Sequence, residues 1–272
     1  MRAASEAGEP SQGGEALVLW HVDGPVARIT LNRPDKYNAL NLPLLQELSR
    51  ALDRAEADDG VGAVVLAGAG RAFCAGADIA EMAGLSGLAE AERWVAARAE
   101  HFQRLARFPK PVVAALHGFA LGGGLELALQ ADLRVAGESA QLGQPEVLLG
   151  LLPGAGGTQR LARLLGPARA LEWLWSGQRM TARQALELGL VQRVVPDGEV
   201  LAQAHELAAR IARQAPLAVR FIKRCVWEGL EMPLAQGLAL ERQAFAQLLA
   251  TRDGQEGVRA FLERRQPQFQ GR

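Results

Sequence analysis

The segment Leu121-Gly122-Gly123-Gly124-Leu125-Glu126 places three consecutive glycines directly before an apolar stretch that is predicted to be helical. Gly123 has no Cβ, so an oxygen atom of a ligand can approach its backbone N–H closely. A helix that begins near Leu125 adds the positive end of its dipole to the same donor. The segment therefore predicts one half of an oxyanion hole, with a tight turn in a glycine-rich chain as the alternative.

A second segment, Phe73-Cys74-Ala75-Gly76-Ala77-Asp78, also exposes bare backbone through small residues just ahead of a predicted helix. Ala77 offers a second backbone N–H for the same kind of ligand oxygen. Asp78 is followed three residues later by Glu81, which favours a helix N-cap over a ligand-facing acid. Two such segments favour a two-donor site more strongly than either segment does alone.

Two glutamates follow these turns, and they form the candidate acid/base pair. Glu126 stands among leucines and alanine, where a carboxyl group is expected to be desolvated and its pKa raised towards neutrality. Glu146 directly follows Gly143-Gln144-Pro145 and is twenty residues after Glu126 in sequence. The alternatives are compensation of a helix dipole by Glu126 and a solvated loop position for Glu146.

The glycine segments do not fit a nucleotide-binding motif. Gly68-Ala69-Gly70 is followed by Phe73, and Gly154-Ala155-Gly156 is followed by Gln159, where a dinucleotide fingerprint requires its third glycine. The chain also contains no glycine-lysine-Ser/Thr triplet of the P-loop type. A nucleoside triphosphate or NAD site is therefore disfavoured.

Composition predicts one main domain without long-range attraction for polyanions. The 272 residues are 49% hydrophobic, and 30 basic residues balance 30 acidic residues. Nothing in this balance attracts nucleic acid or an anionic membrane surface. Two cysteines form no disulfide framework and four dispersed histidines form no zinc motif, which favours a reducing cytoplasm and predicts no metal. The uncharged run 111–125 is too short for a membrane span.

The pattern along the chain predicts three parts. Residues 1–15 are polar and read as a flexible tail, not a secretory signal. Residues 16–195 alternate apolar runs with amphipathic stretches, which predicts an α/β core containing the active site. Residues 196–272 are predicted to be helical. The predicted strands are 16–21, 26–31, 62–66, 111–116, 133–136 and 191–195, and the predicted helices include 41–52, 89–107, 123–131, one capped by Thr181 and Gln184, and one opened by Pro216.

Four strings in order resemble the enoyl-CoA hydratase/isomerase (crotonase) superfamily. They are 31–40 (LNRPDKYNAL), 73–82 (FCAGADIAEM), 117–126 (HGFALGGGLE) and 144–161, which contains PGAGGTQRL. The resemblance covers the chain from about Ala16 to the C-terminus. It implies an α/β spiral of stacked ββα units, followed by a C-terminal helical region for trimerisation, with homohexamers as pairs of homotrimers.

The resemblance also implies an acyl-CoA thioester substrate whose carbonyl oxygen accepts hydrogen bonds from the N–H groups of Ala77 and Gly123. It implies that Glu126 activates water and that Glu146 donates a proton to the α-carbon. It implies no metal or redox cofactor, since coenzyme A is part of the substrate. Six further positions are expected to contact the substrate: Lys36, Ala39, Ala75, Asp78, Ile79 and Gly154.

The presence of both glutamates favours an enoyl-CoA hydratase, a hydro-lyase of fatty-acid β-oxidation or branched-chain acyl-CoA breakdown. An enoyl-CoA isomerase and a methylglutaconyl-CoA hydratase with RNA binding remain alternatives, although zero net charge disfavours RNA. A catalytically silent scaffold is a third. Lys223 is expected to be a solvated surface charge, and Cys74 to pack in the core. The segment Ile79 to Arg98 is expected to shape the acyl pocket, whose chain length the sequence leaves open.

Overall fold

A computed structural model of the protein describes residues 16–272. The predicted tail, residues 1–15, lies outside the described residues. Within them the chain is a mixed α/β protein followed by a helical C-terminal region, as the sequence predicts. The strands are β1 (Val18–Asp23), β2 (Val26–Leu31), β3 (Ala63–Gly68), β4 (Val112–Leu116), β5 (Phe119–Leu121), β6 (Leu133–Gly137), β7 (Gln141–Gly143), β8 (Arg179–Thr181) and β9 (Arg193–Val195).

Helices are present at the predicted positions, and the first of them, predicted over 41–52, extends to Ala57. They are α1 (Leu42–Ala57), α2 (Ile79–Met82), α3 (Leu88–Ala106), α4 (Gly123–Ala128), α5 (Gly157–Leu165), α6 (Pro167–Ser176), α7 (Ala182–Glu187), α8 (Val200–Ala212), α9 (Pro216–Gly229), α10 (Leu234–Leu249) and α11 (Arg252–Leu262). The Thr181 and Gln184 capping box is present at α7. Helix α4 is three residues shorter than predicted, because the Arg134 guanidinium binds the carbonyls of Ala128 and Ala131 and closes its end.

Two sheets are stacked along a spiral. The six-stranded sheet has the order β1-β2-β3-β4-β6-β9 and is parallel except for the β1/β2 pair. Most strands of this sheet are followed by a short extended segment, and these segments line up beside each other through the bridges Leu40↔Ala77 and Cys74↔Ala120 and the β5/β7 pair. The segment that follows one strand therefore lies beside the segment that follows the next strand of the spiral.

The large sheet buries both of its faces, because successive side chains along a strand point to opposite sides. In β3, Val64 and Leu66 belong to one apolar cluster, and Val65 belongs to the other. The first cluster packs on the leucines of α1, and the second packs on the alanines of α8. Truncating a fully buried leucine such as Leu48 to alanine is expected to cost about 2 to 5 kcal/mol of stability.

The C-terminal helices are attached to the core by a partly buried ion pair, and this corrects the prediction for Lys223. Its Nζ lies 2.8 Å from Asp132 Oδ2 and also donates to the Lys110 carbonyl at 2.9 Å. Trp227 Nε1 donates to the other oxygen of Asp132 at 2.9 Å. Only 11% of the Lys223 side chain is exposed. The solvated reading was wrong because Asp132, 91 residues away in sequence, provides the missing partner.

Candidate active site

Ala77 and Gly123 bring two backbone N–H groups to one place. Leu40 N donates to the Gly76 carbonyl at 2.8 Å, and Asp78 N donates to the Leu40 carbonyl at 3.0 Å. This parallel pairing turns the N–H of Ala77 away from Leu40. A Cβ built on Gly123 would lie 3.4 Å from Ala77 N, so the two residues are in contact. Within residues 16–272 neither amide donates to a backbone carbonyl, so both remain available to a ligand oxygen.

Glycines allow these two turns of the spiral to stack so closely. A Cβ at Gly124 would stand 2.3 Å from the carbonyl oxygen of Cys74, a distance that only glycine permits. Gly122 has φ 51°, in the left-handed region, and a Cβ there would lie 3.0 Å from Glu146 Oε1. The glycine run that predicted the donor therefore also packs against the segment of Cys74 on one side and against Glu146 on the other.

Glu126 lies in the first turn of α4 and is 2% exposed. Its Oε1 accepts hydrogen bonds from the N–H groups of Ala155 and Gly157, both at 2.7 Å. Its Oε2 receives no hydrogen bond from residues 16–272. Burial raises the pKa of this carboxyl, and the two N–H donors reduce that effect without cancelling it. The expected desolvation of Glu126 is confirmed.

Glu146 lies in the first turn of a 3₁₀ helix, Pro145–Leu149, at the mouth of the same site. Burial raises the pKa of its carboxyl to about 7; its own backbone N–H acts in the opposite direction, and the charge of Glu126 adds to the rise. That electrostatic effect requires the two carboxyl groups to be near each other. The pKa of both carboxyl groups is therefore raised above its ordinary value, which is the direction that proton transfer near neutral pH requires.

Gln144 is a site residue that the sequence reasoning missed. It is 1% exposed, and its amide faces Glu146 and Gly122. The amide orientation that satisfies all partners has Nε2 donating to Glu146 Oε1 at 3.0 Å and to the Gly122 carbonyl at 3.2 Å. Gln144 thereby fixes the second carboxylate against the oxyanion segment. The only signal in the sequence was its position two residues before Glu146.

The four candidate residues line one cavity of about 1140 Å³. Three of the predicted substrate contacts, Ala75, Ile79 and Gly154, line it as well. Helices α2 and α3 form an apolar wall, as expected for the segment Ile79 to Arg98; its lining residues include Ile79, Met82, Leu85, Ala91, Trp94, Val95 and Arg98.

The other three predicted substrate contacts do not line this cavity. Lys36 is exposed at the end of a 3₁₀ turn, and the Ala39 carbonyl accepts from Arg33 Nη1 at 2.6 Å. Asp78 accepts from Ala80 N as the N-cap of α2 and pairs with Arg33 at 3.0 Å. Its predicted capping role is confirmed, and the substrate contacts of these three residues stay predictions.

Cys74 packs in the core beside the first oxyanion segment, as predicted. It is 0% exposed, and burial raises the pKa of its thiol to about 12. The group is therefore a neutral thiol at physiological pH, and a nucleophilic role is excluded by the absence of thiolate.

Two neighbouring main-chain N–H donors and two carboxyl groups, one buried and one half-buried, line one cavity and define a site for acid/base chemistry on a carbonyl compound. The enoyl-CoA hydratase/isomerase family model matches residues 22–272 of this chain. The chain belongs to the enoyl-CoA hydratase/isomerase family.

Known proteins similar to this chain carry hydratase names. It is 45% identical to the 2,3-dehydroadipyl-CoA hydratase of Escherichia coli, over 91% of this chain and 96% of that protein. It is 41% identical to the short-chain-enoyl-CoA hydratase of Clostridium acetobutylicum, over 91% of this chain and 95% of that protein. The crystal structure of the enoyl-CoA hydratase of Bacillus anthracis superposes with a TM-score of 0.90 at 40% identity, over 94% of this chain and 100% of that chain. The predicted crotonase-type fold is confirmed.

Proposed function

We propose that this protein is an enoyl-CoA hydratase, which reversibly adds water to the 2,3-double bond of an enoyl-CoA thioester to give a 3-hydroxyacyl-CoA. The family match and the named relatives support an enzyme of the hydro-lyase type. One observation carries the proposal most: Glu126 and Glu146 both line the cavity that contains the Ala77 and Gly123 amides. Hydration requires hydrogen-bond donors for the negative charge on the carbonyl oxygen, a base for water and an acid for the α-carbon. Two main-chain amides and two carboxyl groups provide these three functions.

The proposed reaction uses each group once. The thioester carbonyl oxygen lies between the N–H groups of Ala77 and Gly123, which stabilise the negative charge that grows on it. Oε2 of Glu126 takes a proton from water, whose oxygen forms a bond to the β-carbon. Glu146 gives its proton to the α-carbon, and the two carboxyl groups then exchange their protonation states. Because the pair is coupled, the titration belongs to both groups together.

The geometry matches what this mechanism requires of its parts. Oε1 of Glu126 accepts from two backbone N–H groups, whereas Oε2 has no donor among residues 16–272, and the residue lines the cavity. Glu146, with a pKa of about 7, is protonated in a large fraction of molecules at neutral pH. A single oxyanion donor contributes about 3 to 4 kcal/mol of transition-state stabilisation. No step in this scheme uses a metal or a redox cofactor.

A crotonyl-CoA hydration assay tests the proposal through the loss of enoyl thioester absorbance. We expect turnover by the protein and a loss of about 10²- to 10⁴-fold in Glu126→Gln and in Glu146→Gln, because each removes a proton-transfer group. Calorimetry with saturated butyryl-CoA should show binding by both variants. Glu172→Gln, on the exposed face of α6, is the matched control. Near-native turnover in both active-site variants would refute the assignment.

Isomerisation of a 3-enoyl-CoA is the second candidate, since Glu146 lines the cavity and burial raises the pKa of its carboxyl to about 7. A group of this kind can move a proton between two carbons of a bound thioester without water. Glu126→Gln should then retain isomerase turnover while it loses hydration. Equal loss of both activities would assign both reactions to the pair.

We further propose a homotrimer or a dimer of trimers and a cytoplasmic location. Large apolar side chains are exposed on the C-terminal helices, among them Leu234 and Phe245 on α10 and Phe261 on α11. Covering such a surface by another copy of the chain removes apolar area from water. Among the described residues, no helix combines the length and apolar character that crossing a membrane requires. Light scattering coupled to gel filtration measures the assembly, and a monomer mass would refute it.

A further inference from the structure

Arg98 of α3 is a buried cation that residues 16–272 leave largely unsatisfied. It is 8% exposed and lines the active-site cavity. Nη1 donates to the Trp94 carbonyl at 2.9 Å and Nη2 pairs with Glu81. The Nε atom is buried and has no acceptor among the described residues. A guanidinium has five N–H groups, so most of its donors have no partner there.

Another buried arginine shows how this protein satisfies a structural guanidinium. Arg134 is 3% exposed and donates to the carbonyls of Leu190, Ala128 and Ala131. Those carbonyls lie at the ends of local elements, and Arg134 is not among the residues that line the cavity. Burial of unpaired polar groups is costly, so the contrast indicates that Arg98 serves an acceptor other than the protein backbone.

Trp94 provides a second unpaired donor at the same place. Its indole Nε1 is buried without an acceptor among the described residues, and its ring stacks 3.9 Å from the Arg98 guanidinium carbon. The two residues are one helical turn apart and both line the cavity. Indole and guanidinium groups only donate, so together they require an oxygen acceptor.

Glu81 shows which kind of acceptor this guanidinium binds. Its carboxylate pairs with Nη2 of Arg98, so the fork is oriented for a carboxylate. The Glu81 side chain is 30% exposed, against 10% for Arg98. Glu81 is therefore the more solvent-accessible partner of this pair. The wall on either side of the fork is apolar and includes Met82, Leu85, Val95 and Phe102.

We infer that Arg98 and Trp94 bind a carboxylate at the far end of the acyl chain, so that the substrate is an enoyl-CoA derived from a dicarboxylic acid. The methylene groups of such a chain pack on the apolar wall, and its terminal oxygens take the free N–H donors. The inference rests on the proposed function, because it assigns the acyl group of the same thioester. Arg98 acts as a specificity-determining residue and takes no part in the proton transfers.

The test compares 2-enoyl-CoA thioesters of four to eight carbons in matched pairs, with and without a terminal carboxylate. We expect one carboxylate member to exceed its neutral partner in kcat/KM by about 10- to 100-fold, the factor for a charge-assisted hydrogen bond. Arg98→Met should abolish this ratio, Arg98→Lys should reduce it, and Trp94→Phe should lower it by a few-fold. Arg93→Met, an exposed arginine of the same helix, should leave the ratio unchanged.

The inference is overturned if no chain length shows a carboxylate preference, or if the preference survives in Arg98→Met. Should that variant fail to fold, Trp94→Phe keeps the packing ring and still decides the role of the indole N–H. Calorimetry with saturated dicarboxylic and monocarboxylic acyl-CoA pairs separates the two proposals. A binding preference without turnover would retain the specificity assignment and reject the hydratase, whereas turnover without preference would do the reverse.

Discussion

Replacing Glu146 with glutamine should stabilise the protein at alkaline pH, although it removes activity. Burial raises the pKa of this carboxyl to about 7 in the folded state, above its ordinary value of 4.5. A raised folded-state pKa means that the stability contribution is complete below the unfolded pKa and is lost as pH rises through the folded pKa. Glutamine carries no charge at any of these pH values, so the variant avoids that loss.

The magnitude follows from the two pKa values. The rise from 4.5 to about 7 corresponds to about 3 kcal/mol, at about 1.4 kcal/mol per pH unit. The side chain is only partly buried and shares its titration with Glu126, so solvent screening reduces this to about 1.5 kcal/mol. The glutamine oxygen can still accept a hydrogen bond from Gln144, so packing around the position is retained.

Urea unfolding at about pH 5 and about pH 8.5 measures this effect for the protein and for Glu146→Gln at equal chain concentration. The variant should gain about 1.5 kcal/mol relative to the parent on going from the lower to the higher pH. Glu172→Gln, exposed on α6, should show no such pH-dependent gain. An equal difference at both pH values, or a loss of stability at the higher one, would refute the argument that Glu146 is held in a desolvated environment.

Three other outcomes are expected. The kcat/KM for hydration should decline as pH rises through about 7, because Glu146 must be protonated to act as the acid; a flat profile to about pH 9 would contradict this role. Gly123→Ala should lower kcat/KM by about 10²- to 10³-fold by placing a methyl group 3.4 Å from the second amide nitrogen, whereas Gly198→Ala, with nothing within 4 Å, should not. Lys223→Met should destabilise the protein by about 1.5 to 3 kcal/mol in urea, because the partly buried Asp132 loses its cation and keeps only the donors Val112 N and Trp227 Nε1; an unchanged midpoint would show that the pair is dispensable.

Local signals predicted much of the fold and half of the site. The glycine run before α4 indicated a close approach of backbone, and the structure shows contact between Gly123 and Ala77 there. The leucines around Glu126 indicated a desolvated carboxyl, and that residue is 2% exposed. Asp78 with Glu81 indicated a helix cap, which the structure also shows. Each of these signals spans only a few residues, because helix capping and the burial of a side chain among leucines depend on its neighbours in sequence.

Pairing between distant residues could not be predicted in this way. The sequence predicted a surface charge at Lys223, because its partner Asp132 is 91 residues away and only the fold brings the two together. The sequence placed Arg98 only at the end of the segment expected to shape the acyl pocket, and it predicted no burial or partner for the Arg98 side chain. Its burial in the cavity wall depends on how α3 packs over α1 and beside α2.

The sequence by itself determined the alternation of strands and helices, the two backbone donors and the identity of the two carboxyl groups. These depend on side-chain size, capping and hydrophobic period, which act over one or two turns of chain. Only the tertiary structure decided that the donors and acids share one cavity, that Gln144 holds Glu146, and that Arg98 faces the acyl pocket. Those relations arise from the stacking of successive spiral turns. The stacking brings together side chains that are distant in sequence, so their burial and their charged neighbours cannot be predicted from a short stretch of the chain.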